Sequence, residues 1–375
     1  MARGHKNRLA IVGPVTPFRS GVAKHTTELA RAISDIDETD VVVYSFKRQY
    51  PRLLYPGDDD RVPDIDDGFS NTLNVQYLID SINPFTWWRT AARLKKDDID
   101  QVILPAWTFF LSPCLGTIAR ICNKAGIQVV MIVHNFEDHE ASWWKAWLSK
   151  FQLKQADRYV THGSVLADQI NTMGSGKPVQ VCPHPIFEQY PDPVGKLPRR
   201  AKLELLFFGL IRNYKGLDIA LHGLAKSGRQ DIMMTVVGEF WEGKEATHEL
   251  IEELDVKDKV EVVPRYVSDA EAAEYFARAD VVILPYRTVS GSGVIPVAYR
   301  YGKPVIVSDL PGLTDVVDEG ETGWFVPAED SDAIGCLLSE VVTTERVETM
   351  KEAIALKRKE LSWERFAEVV LVNEK

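Results

Sequence analysis

The chain contains 375 residues, which is more than one ordinary hydrophobic core accommodates and predicts two domains. A hydrophobic fraction of 45% with 26% charged residues is typical of globular proteins and excludes disorder as a description of the whole chain. The 44 basic and 54 acidic residues give a net charge of −10. This balance excludes a nucleic-acid binder that relies on electrostatic attraction.

The first apolar run follows a basic start and stops at Gly13-Pro14, so it predicts a β-strand rather than a signal peptide. No stretch reaches the roughly 18 apolar residues of a membrane span. The four cysteines form no CxxC pair, which favours reduced structural thiols. We therefore expect a cytoplasmic protein. Because residues 1–195 are nearly neutral while the remainder is acidic, the first half tolerates a membrane surface better than the second.

Short apolar runs alternate with helical periodicity along the whole chain, which predicts parallel βαβ units. In the first half the predicted strands are 9–12, 41–44, 101–104, 129–133 and 158–161, and the predicted helices are 22–33, 86–95 and 115–125. In the second half the predicted strands are 203–208, 233–237, 260–263, 281–284 and 304–307, and the predicted helices are 217–226, 246–254, 269–277, 294–301, 331–342 and 346–356.

A proline-rich segment at 183–200 separates the two halves, because proline continues neither a central strand nor a helix. The sequence thus predicts two doubly wound α/β domains in tandem. Parallel sheets bind ligands at the carboxyl ends of their strands, so we expect a site in a cleft between two facing domains.

Two cations follow the first predicted strand of the second half, in the segment LFFGLIRNYKGL. Arg212 can bind a diphosphate as a bidentate fork and Lys215 as a point charge. A second turn, TVSGSGV, enters the helix at Val294 through Ser292 and Gly293, and its backbone N–H groups can cradle phosphate. Together the two turns predict an anion site in the second domain, against the alternative of solvated loops.

Two strand ends of the first half also carry candidate residues. The segment TPFRSGVA is no dinucleotide-binding fingerprint, but Gly21 lets a ligand approach the backbone closely. His134 opens the segment HNFEDHE directly after a strand, where a side chain can contact a sugar. A metal site built from this segment is disfavoured, because its spacing matches no helical HExxH pattern.

Taken together, these residues resemble the retaining glycosyltransferases of family four, which have the GT-B fold of two facing Rossmann-like domains. The similarity is densest at LLFFGLIRNYKGLD, RYVSDAEAAEYFARADVVILPYR and SGVIPVAYRYGKPVIVSD. The resemblance implies an acceptor-binding domain at 1–190, a nucleotide-sugar-binding domain at 191–361, and a last helix at about 362–375 that packs back on the first domain.

The resemblance also implies a role for each matching position. Arg212 and Lys215 would hold the diphosphate and act in catalysis together with His134. The further donor-binding positions would be Gly21, Tyr266, Ser292, Gly293 and Val294. The acceptor side would include Arg19, Trp107 and His139. The chemistry would need no metal and no cofactor beyond the nucleoside diphosphate sugar, which is the donor substrate.

One position departs from the family pattern. The family carries two glutamates separated by seven residues, and the corresponding positions here are Val289 and Val297. Valine cannot accept hydrogen bonds from ribose hydroxyls. The chain resembles the branch that has a Ser-Gly-Val turn in place of this pair.

The sequence therefore predicts transfer of a hexosyl unit from a nucleoside diphosphate sugar to a glycan or lipid-linked acceptor, with peripheral membrane contact through the first domain. Two alternatives remain open. One is a non-catalytic nucleotide-sugar-binding subunit, favoured by Val289 and Val297. The other is a nucleotide-sugar epimerase or phosphorylase on the same fold, which would need more acid/base carboxylates than the strand ends supply.

Overall fold

The computed structural model describes residues 7–18, 20–36, 39–51, 73–135, 143–186, 190–289 and 291–372. Internal contacts divide the chain into two units. Unit 1 comprises Met1–Cys182 together with Trp363–Lys375, and unit 2 comprises Pro183–Ser362. The change of unit thus falls at the start of the proline-rich segment, ahead of the boundary predicted at 190.

Unit 1 is built on a parallel sheet of seven strands among the described residues, in the order β3-β2-β1-β4-β5-β6-β7. The strands are β1 (Asn7–Val12), β2 (Thr39–Arg48), β3 (Asn74–Asp80), β4 (Gln101–Ala106), β5 (Gln128–Val133), β6 (Arg158–Thr161) and β7 (Val179–Val181). The central strands β4, β5 and β6 are buried almost throughout, as expected for a sheet covered on both faces. The strand order reverses between β1 and β4, which makes their carboxyl ends the topological switch point.

Helices cover unit 1 in two groups. They are α1 (Gly21–Ser34), α2 (Pro84–Lys96), α3 (Ser112–Lys124), α4 (Trp143–Leu153), α5 (Ser164–Thr172) and α14 (Trp363–Leu371). Helix α3 packs between α2 and α4, while α14 packs on α1.

Buried contacts hold α14 in unit 1. Its Phe366 and Val370 are fully buried. The guanidinium of Arg158, itself buried on β6, donates to the backbone carbonyls of Val369 (2.9 Å) and Val370. These carbonyls belong to the last turn of α14, where backbone carbonyls have no partner within the helix. The contact explains why the last helix of the chain belongs to the unit formed by its first half.

Unit 2 contains a second parallel sheet, of six strands among the described residues, in the order β10-β9-β8-β11-β12-β13. The strands are β8 (Leu203–Phe208), β9 (Ile232–Val237), β10 (Val260–Val263), β11 (Val281–Leu284), β12 (Val305–Ser308) and β13 (Gly323–Val326). The order reverses between β8 and β11, so the switch point of this sheet lies at their carboxyl ends.

The helices of unit 2 match the predicted ones with two exceptions, the unpredicted short helix at Pro311–Thr314 and the helix predicted at 346–356. The helices are α6 (Leu217–Lys226), α7 (Lys244–Glu253), α8 (Asp269–Arg278), α9 (Val294–Arg300), α10 (Pro311–Thr314), α11 (Ser331–Glu340), α12 (Thr344–Thr349) and α13 (Lys351–Glu360). The single helix predicted at 346–356 is wrong, because the chain forms two helices that meet at Met350. Among the described residues, no helix is both long and apolar enough to cross a membrane.

Candidate functional site

The turn after β8 places two cations at the switch point of unit 2. The strand ends at Phe208, and the next residue, Gly209, has a φ of +104°, a conformation that L side chains rarely adopt. A short 3-10 turn, Asn213–Lys215, then leads through Gly216 into α6. The predicted pair Arg212 and Lys215 therefore lies beyond the carboxyl end of β8, as the sequence indicated.

Lys215 is unusual because its ammonium is buried, with 7% of the residue exposed. Its Nζ lies 5.6 Å from the centre of the Tyr286 ring. It also lies 3.0 Å from the point that a Cβ on Gly209 would occupy. Burial, followed by repulsion from Arg212, lowers the pKa of Lys215 to about 8. A buried cation beside a second cation is typical of a site that binds an anion.

Arg287, which follows β11, joins the second turn to the first. Its guanidinium donates to both carboxylate oxygens of Asp218, at 3.0 and 2.6 Å, and to the backbone carbonyl of Asn213 at 2.7 Å. Its backbone N–H donates to the carbonyl of Tyr214 at 2.7 Å. Arg287 is thus a structural clamp, and it holds the pKa of Asp218 below its usual range against the opposing effect of burial.

The start of α9 lies next to the buried ammonium. A methyl group of Val294 lies 3.9 Å from the same point above Gly209 that Lys215 approaches. The Val294 N–H donates to Oγ of Ser292 at 3.2 Å, so a ligand at this position would replace that contact. Gly293 precedes the helix and is exposed. The turn Ser292–Val294 and the pair Arg212 and Lys215 therefore meet at one edge, as predicted.

The outer part of this edge is aromatic. The guanidinium of Arg212 lies 4.8 Å from the centre of the Trp241 ring. Trp241 follows β9 in the chain, and its side chain is exposed. Tyr266 follows β10, two strands away from β8, and its ring is exposed. Val297 is buried in α9, so the position where the family carries a glutamate belongs to the core of this unit.

The switch point of unit 1 carries two of the predicted residues, Gly21 and Trp107. The side chain of Ser20 caps α1 by accepting from the Ala23 N–H at 3.0 Å, and α1 begins at Gly21. Among the described residues, apart from its chain neighbours and the backbone of its own helix, no atom lies within 4 Å of the point that a Cβ on Gly21 would occupy. Trp107 follows β4 and is packed against the core. Arg19 lies outside the described residues.

His134 follows β5 and belongs to a group of three histidines. The ring centres of His25 on α1 and His134 are 4.6 Å apart, and those of His25 and His162 are 4.9 Å apart. Candidate ligand atoms of the three rings lie within 4.8 Å of one another, which makes them the group in the described part of the chain that could hold a metal ion. His139 falls in 136–142, which the structure does not describe.

Sequence reasoning missed four residues that build these edges: His25, His162, Tyr286 and Arg287. His162 follows β6 directly, as His134 follows β5, so the rule that identified His134 could also have identified His162. Tyr286 and Arg287 lie just after β11 and could have been considered with Ser292. The position of His25 inside α1 gives no such signal, because a helical histidine at this spacing resembles an ordinary core residue.

Two families match the chain, one in each half. Residues 202–343 match the family described as "Glycosyl transferases group 1", and residues 19–189 match "Glycosyltransferase Family 4". The D-inositol 3-phosphate glycosyltransferase of Paenarthrobacter aurescens (strain TC1) is 28% identical over 226 residues, or 58% of this chain. The match covers 54% of that relative, so the chain spans about half its length. The GDP-mannose:glycolipid 4-beta-D-mannosyltransferase of Xanthomonas campestris pv. campestris is 23% identical to this chain. The match covers 66% of this chain and 71% of the length of that enzyme.

A solved structure resembles the chain over almost its whole length. The crystal structure of Anabaena Alr3699/HepE in complex with UDP superposes with a TM-score of 0.67 over 97% of this chain and 99% of that one. The sequences are 14% identical, so the likeness is one of fold. The predicted GT-B class, with two parallel-sheet α/β domains, is confirmed.

Substitution of Gly216 tests how closely the turn after β8 must approach the turn after β11 in unit 2. In Gly216→Ala the new Cβ would lie 2.0 Å from the Pro285 carbonyl oxygen, at a φ of +69°. We expect unit 2 to lose at least about 3 kcal/mol of stability, measured by urea unfolding of the full chain. Gly228→Ala is the matched control, since Gly228 has a φ of +64° with nothing within 4 Å. It should cost about 1 kcal/mol, and equal losses in the two variants would contradict the close approach.

Proposed function

Because the chain belongs to the group 1 glycosyltransferases of family 4, we propose that it transfers a hexosyl unit from a nucleoside diphosphate sugar to an acceptor hydroxyl, with retention at the anomeric carbon. The observation that carries the proposal is the buried ammonium of Lys215 beside Arg212, at the switch point of unit 2. An anion of high charge density compensates for the burial of this cation. A diphosphate fits that requirement, and HepE, which has a similar fold, was crystallised in complex with UDP.

The diphosphate is the group on which negative charge develops during the reaction. The bond between the anomeric carbon and a phosphate oxygen breaks, and a bond forms between that carbon and the oxygen of the acceptor hydroxyl. The leaving phosphate oxygen takes the hydroxyl proton on the same face, so the route needs no nucleophile or base from the protein. Arg212 and Lys215 stabilise the leaving group, which is the role that a metal ion plays in other sugar transferases.

Two substitutions test the diphosphate assignment. We expect Arg212→Ala and Lys215→Ala each to weaken UDP or GDP binding roughly 10- to 100-fold, as expected for a lost hydrogen bond between charged groups. Isothermal titration calorimetry measures the affinity, and the wild-type value should be the same with and without EDTA. The control is Lys257→Ala, which removes an exposed lysine of unit 2.

Wild-type affinity in both site variants would contradict the assignment. Donor binding without acceptor-dependent release of UDP or GDP would instead favour a non-catalytic nucleotide-sugar-binding subunit. The observation that favours the non-catalytic subunit is the burial of Val297, which occupies the position of a family glutamate.

The pKa of Lys215 predicts how binding depends on pH. Burial lowers this pKa to about 8, so the ammonium is charged at neutral pH and loses its proton as the pH rises through that value. A diphosphate binds the charged form, so affinity should fall by about tenfold between about pH 7 and about pH 9. In Lys215→Arg the cation stays charged, and this dependence should disappear. An equal decline in the wild type and in this variant would assign the effect to another group.

The acceptor side is proposed for unit 1, and its surface favours a lipid-linked acceptor. Helices α2 and α4 flank α3 in one layer, and each begins beyond the carboxyl end of its preceding strand. Large aromatic side chains are exposed on the first two turns of both helices. They are Phe85 (82% exposed), Trp88 (62%), Trp143 (83%), Trp144 (43%) and Trp147 (64%).

Basic residues continue the same helix faces. Helical spacing places Arg89 and Lys96 on the face of Phe85, and Lys150 on the face of Trp143. Tryptophan prefers the membrane interface, and cations are attracted to anionic headgroups. We propose that this aromatic-basic face, on α2 and α4, rests on an anionic membrane and keeps the protein peripheral to the cytoplasmic surface.

Vesicle binding tests the aromatic-basic face. The double variant Trp143→Ser/Trp147→Ser should lose about tenfold in partitioning to vesicles of phosphatidylcholine and phosphatidylglycerol, because two interfacial side chains are removed. Cosedimentation measures the bound fraction, and Leu356→Ser, an exposed apolar position of unit 2, is the control. No partitioning of the wild type to either anionic or neutral vesicles would exclude membrane contact.

A further inference from the structure

The ring of Tyr286 lies against the buried ammonium of unit 2. Nζ of Lys215 lies over this ring, 5.6 Å from its centre. Tyr286 is 4% exposed and Lys215 is 7% exposed, so water has little access to either side chain. The face of an aromatic ring attracts a cation within about 6 Å of its centre, and the attraction is stronger where water is excluded. The pair therefore has both the geometry and the burial of an effective cation–π contact.

Backbone contacts on both sides of the pair hold the ring opposite the ammonium. On one side, the Arg287 N–H donates to the Tyr214 carbonyl at 2.7 Å. On the other side, the Pro285 carbonyl lies so close to Gly216 that no Cβ fits there. The ring of Tyr214 also meets the Tyr286 ring edge-on, with the ring centres 5.9 Å apart. The two turns are thus joined at the residues that flank the pair.

Two effects oppose a charge on Lys215. Burial removes water from the ammonium, and repulsion from Arg212, the second cation of the same turn, acts in the same direction. Together they lower the pKa of Lys215 to about 8. Any further loss of stabilisation would therefore leave a large fraction of this side chain uncharged at neutral pH.

The groups that approach from other elements leave the Tyr286 ring as a favourable neighbour of the ammonium. From the start of α9, the apolar Val294 approaches the same point above Gly209 as the ammonium does. Arg287 and Asp218 bind each other. Burial raises the pKa of both Tyr286 and Tyr214, so the two rings are uncharged near pH 8. The ring therefore acts on the ammonium through its face and not through a charge.

We propose that Tyr286 is a positioning residue that holds Lys215 in place and keeps it protonated at neutral pH before a diphosphate binds. The ring face replaces part of the hydration that the ammonium loses on burial. A diphosphate then meets a cation that already carries its charge, so binding requires no uptake of a proton. This inference rests on the proposed function for the identity of the anion, but not for the effect of the ring on the ammonium.

Carbon NMR of full-length protein labelled at the lysine Cε tests the effect of the ring without any ligand. The signal of Lys215 is assigned with Lys215→Arg, and its wild-type midpoint should lie near pH 8. In Tyr286→Leu the ring face is gone, and the midpoint should fall by about one pH unit. In Tyr286→Phe the face remains, and the midpoint should stay within about 0.3 pH units of the wild type. An unchanged midpoint in Tyr286→Leu would overturn the proposal.

A fluorinated ring separates the electrostatic effect from packing and serves also if Tyr286→Leu fails to fold. Trifluorophenylalanine has nearly the shape of phenylalanine, but its fluorine atoms withdraw electron density from the ring face. Incorporated in place of Tyr286, it should lower the Lys215 midpoint by at least about 0.5 pH units relative to Tyr286→Phe. Equal midpoints in these two proteins would contradict a cation–π role.

Tyr275→Leu is the matched control. Tyr275 is a buried tyrosine of α8, and its ring centre also lies 5.6 Å from a cation, the guanidinium of Arg278. Its loss should leave the Lys215 midpoint unchanged. A fall similar to that of Tyr286→Leu would assign the effect to the loss of any buried ring in unit 2, and the proposal would then be wrong.

The pH dependence of UDP binding gives a second readout that a purely structural role would not reproduce. At about pH 6 Lys215 is charged in both proteins, so Tyr286→Leu should bind UDP within about twofold of the wild type. At about pH 8 it should bind about fivefold more weakly, because most of its Lys215 is then uncharged. Equal losses at the two pH values would overturn the positioning role. If the wild type binds neither UDP nor GDP while the NMR results hold, the proposed function fails and the role of Tyr286 stands.

Discussion

Parallel strand pairing is the constraint on which both candidate sites depend. In each sheet the paired strands run in the same direction, so the chain leaves every strand at one edge. Residues far apart in sequence meet at that edge: Lys215 follows β8, and Tyr286 follows β11. An antiparallel pair would place the two residues at opposite ends of the sheet. The sheet topology alone thus brings the charged turns of unit 2 together.

Close backbone packing at the carboxyl edge of the unit 2 sheet buries one cation next to another. Gly216 lies against the Pro285 carbonyl, and Arg287 binds the first turn through Asp218 and a backbone oxygen. These contacts hold Lys215 where water solvates it poorly, next to a second cation. The cost of that placement appears as a lowered pKa, and a bound anion would relieve it. The position of Lys215 therefore lowers the stability of the unliganded unit and favours binding of an anion.

Much of the fold was predictable because apolar runs and helical periodicity are local signals. The strands predicted from these runs overlap the observed ones, whereas β3, β7 and β13 were missed. Strand β3 (Asn74–Asp80) lies at the edge of its sheet and is mostly half-buried, so it shows no apolar run. Strand β7 has only three residues, and β13 begins at a glycine. Edge position and shortness weaken the pattern on which strand prediction depends.

The sequence by itself determined which residues end the strands, and hence that Arg212, Lys215 and His134 lie at sheet edges, because strand ends are set by local pattern. Only the tertiary structure decided what these residues meet. The order of strands brings His162 beside His134, and the return of α14 places Phe366 against His162. These contacts join segments separated by tens to hundreds of residues, and no local period encodes which strands become neighbours. The chemistry of each edge therefore depends on sheet order, which packing of the whole unit selects.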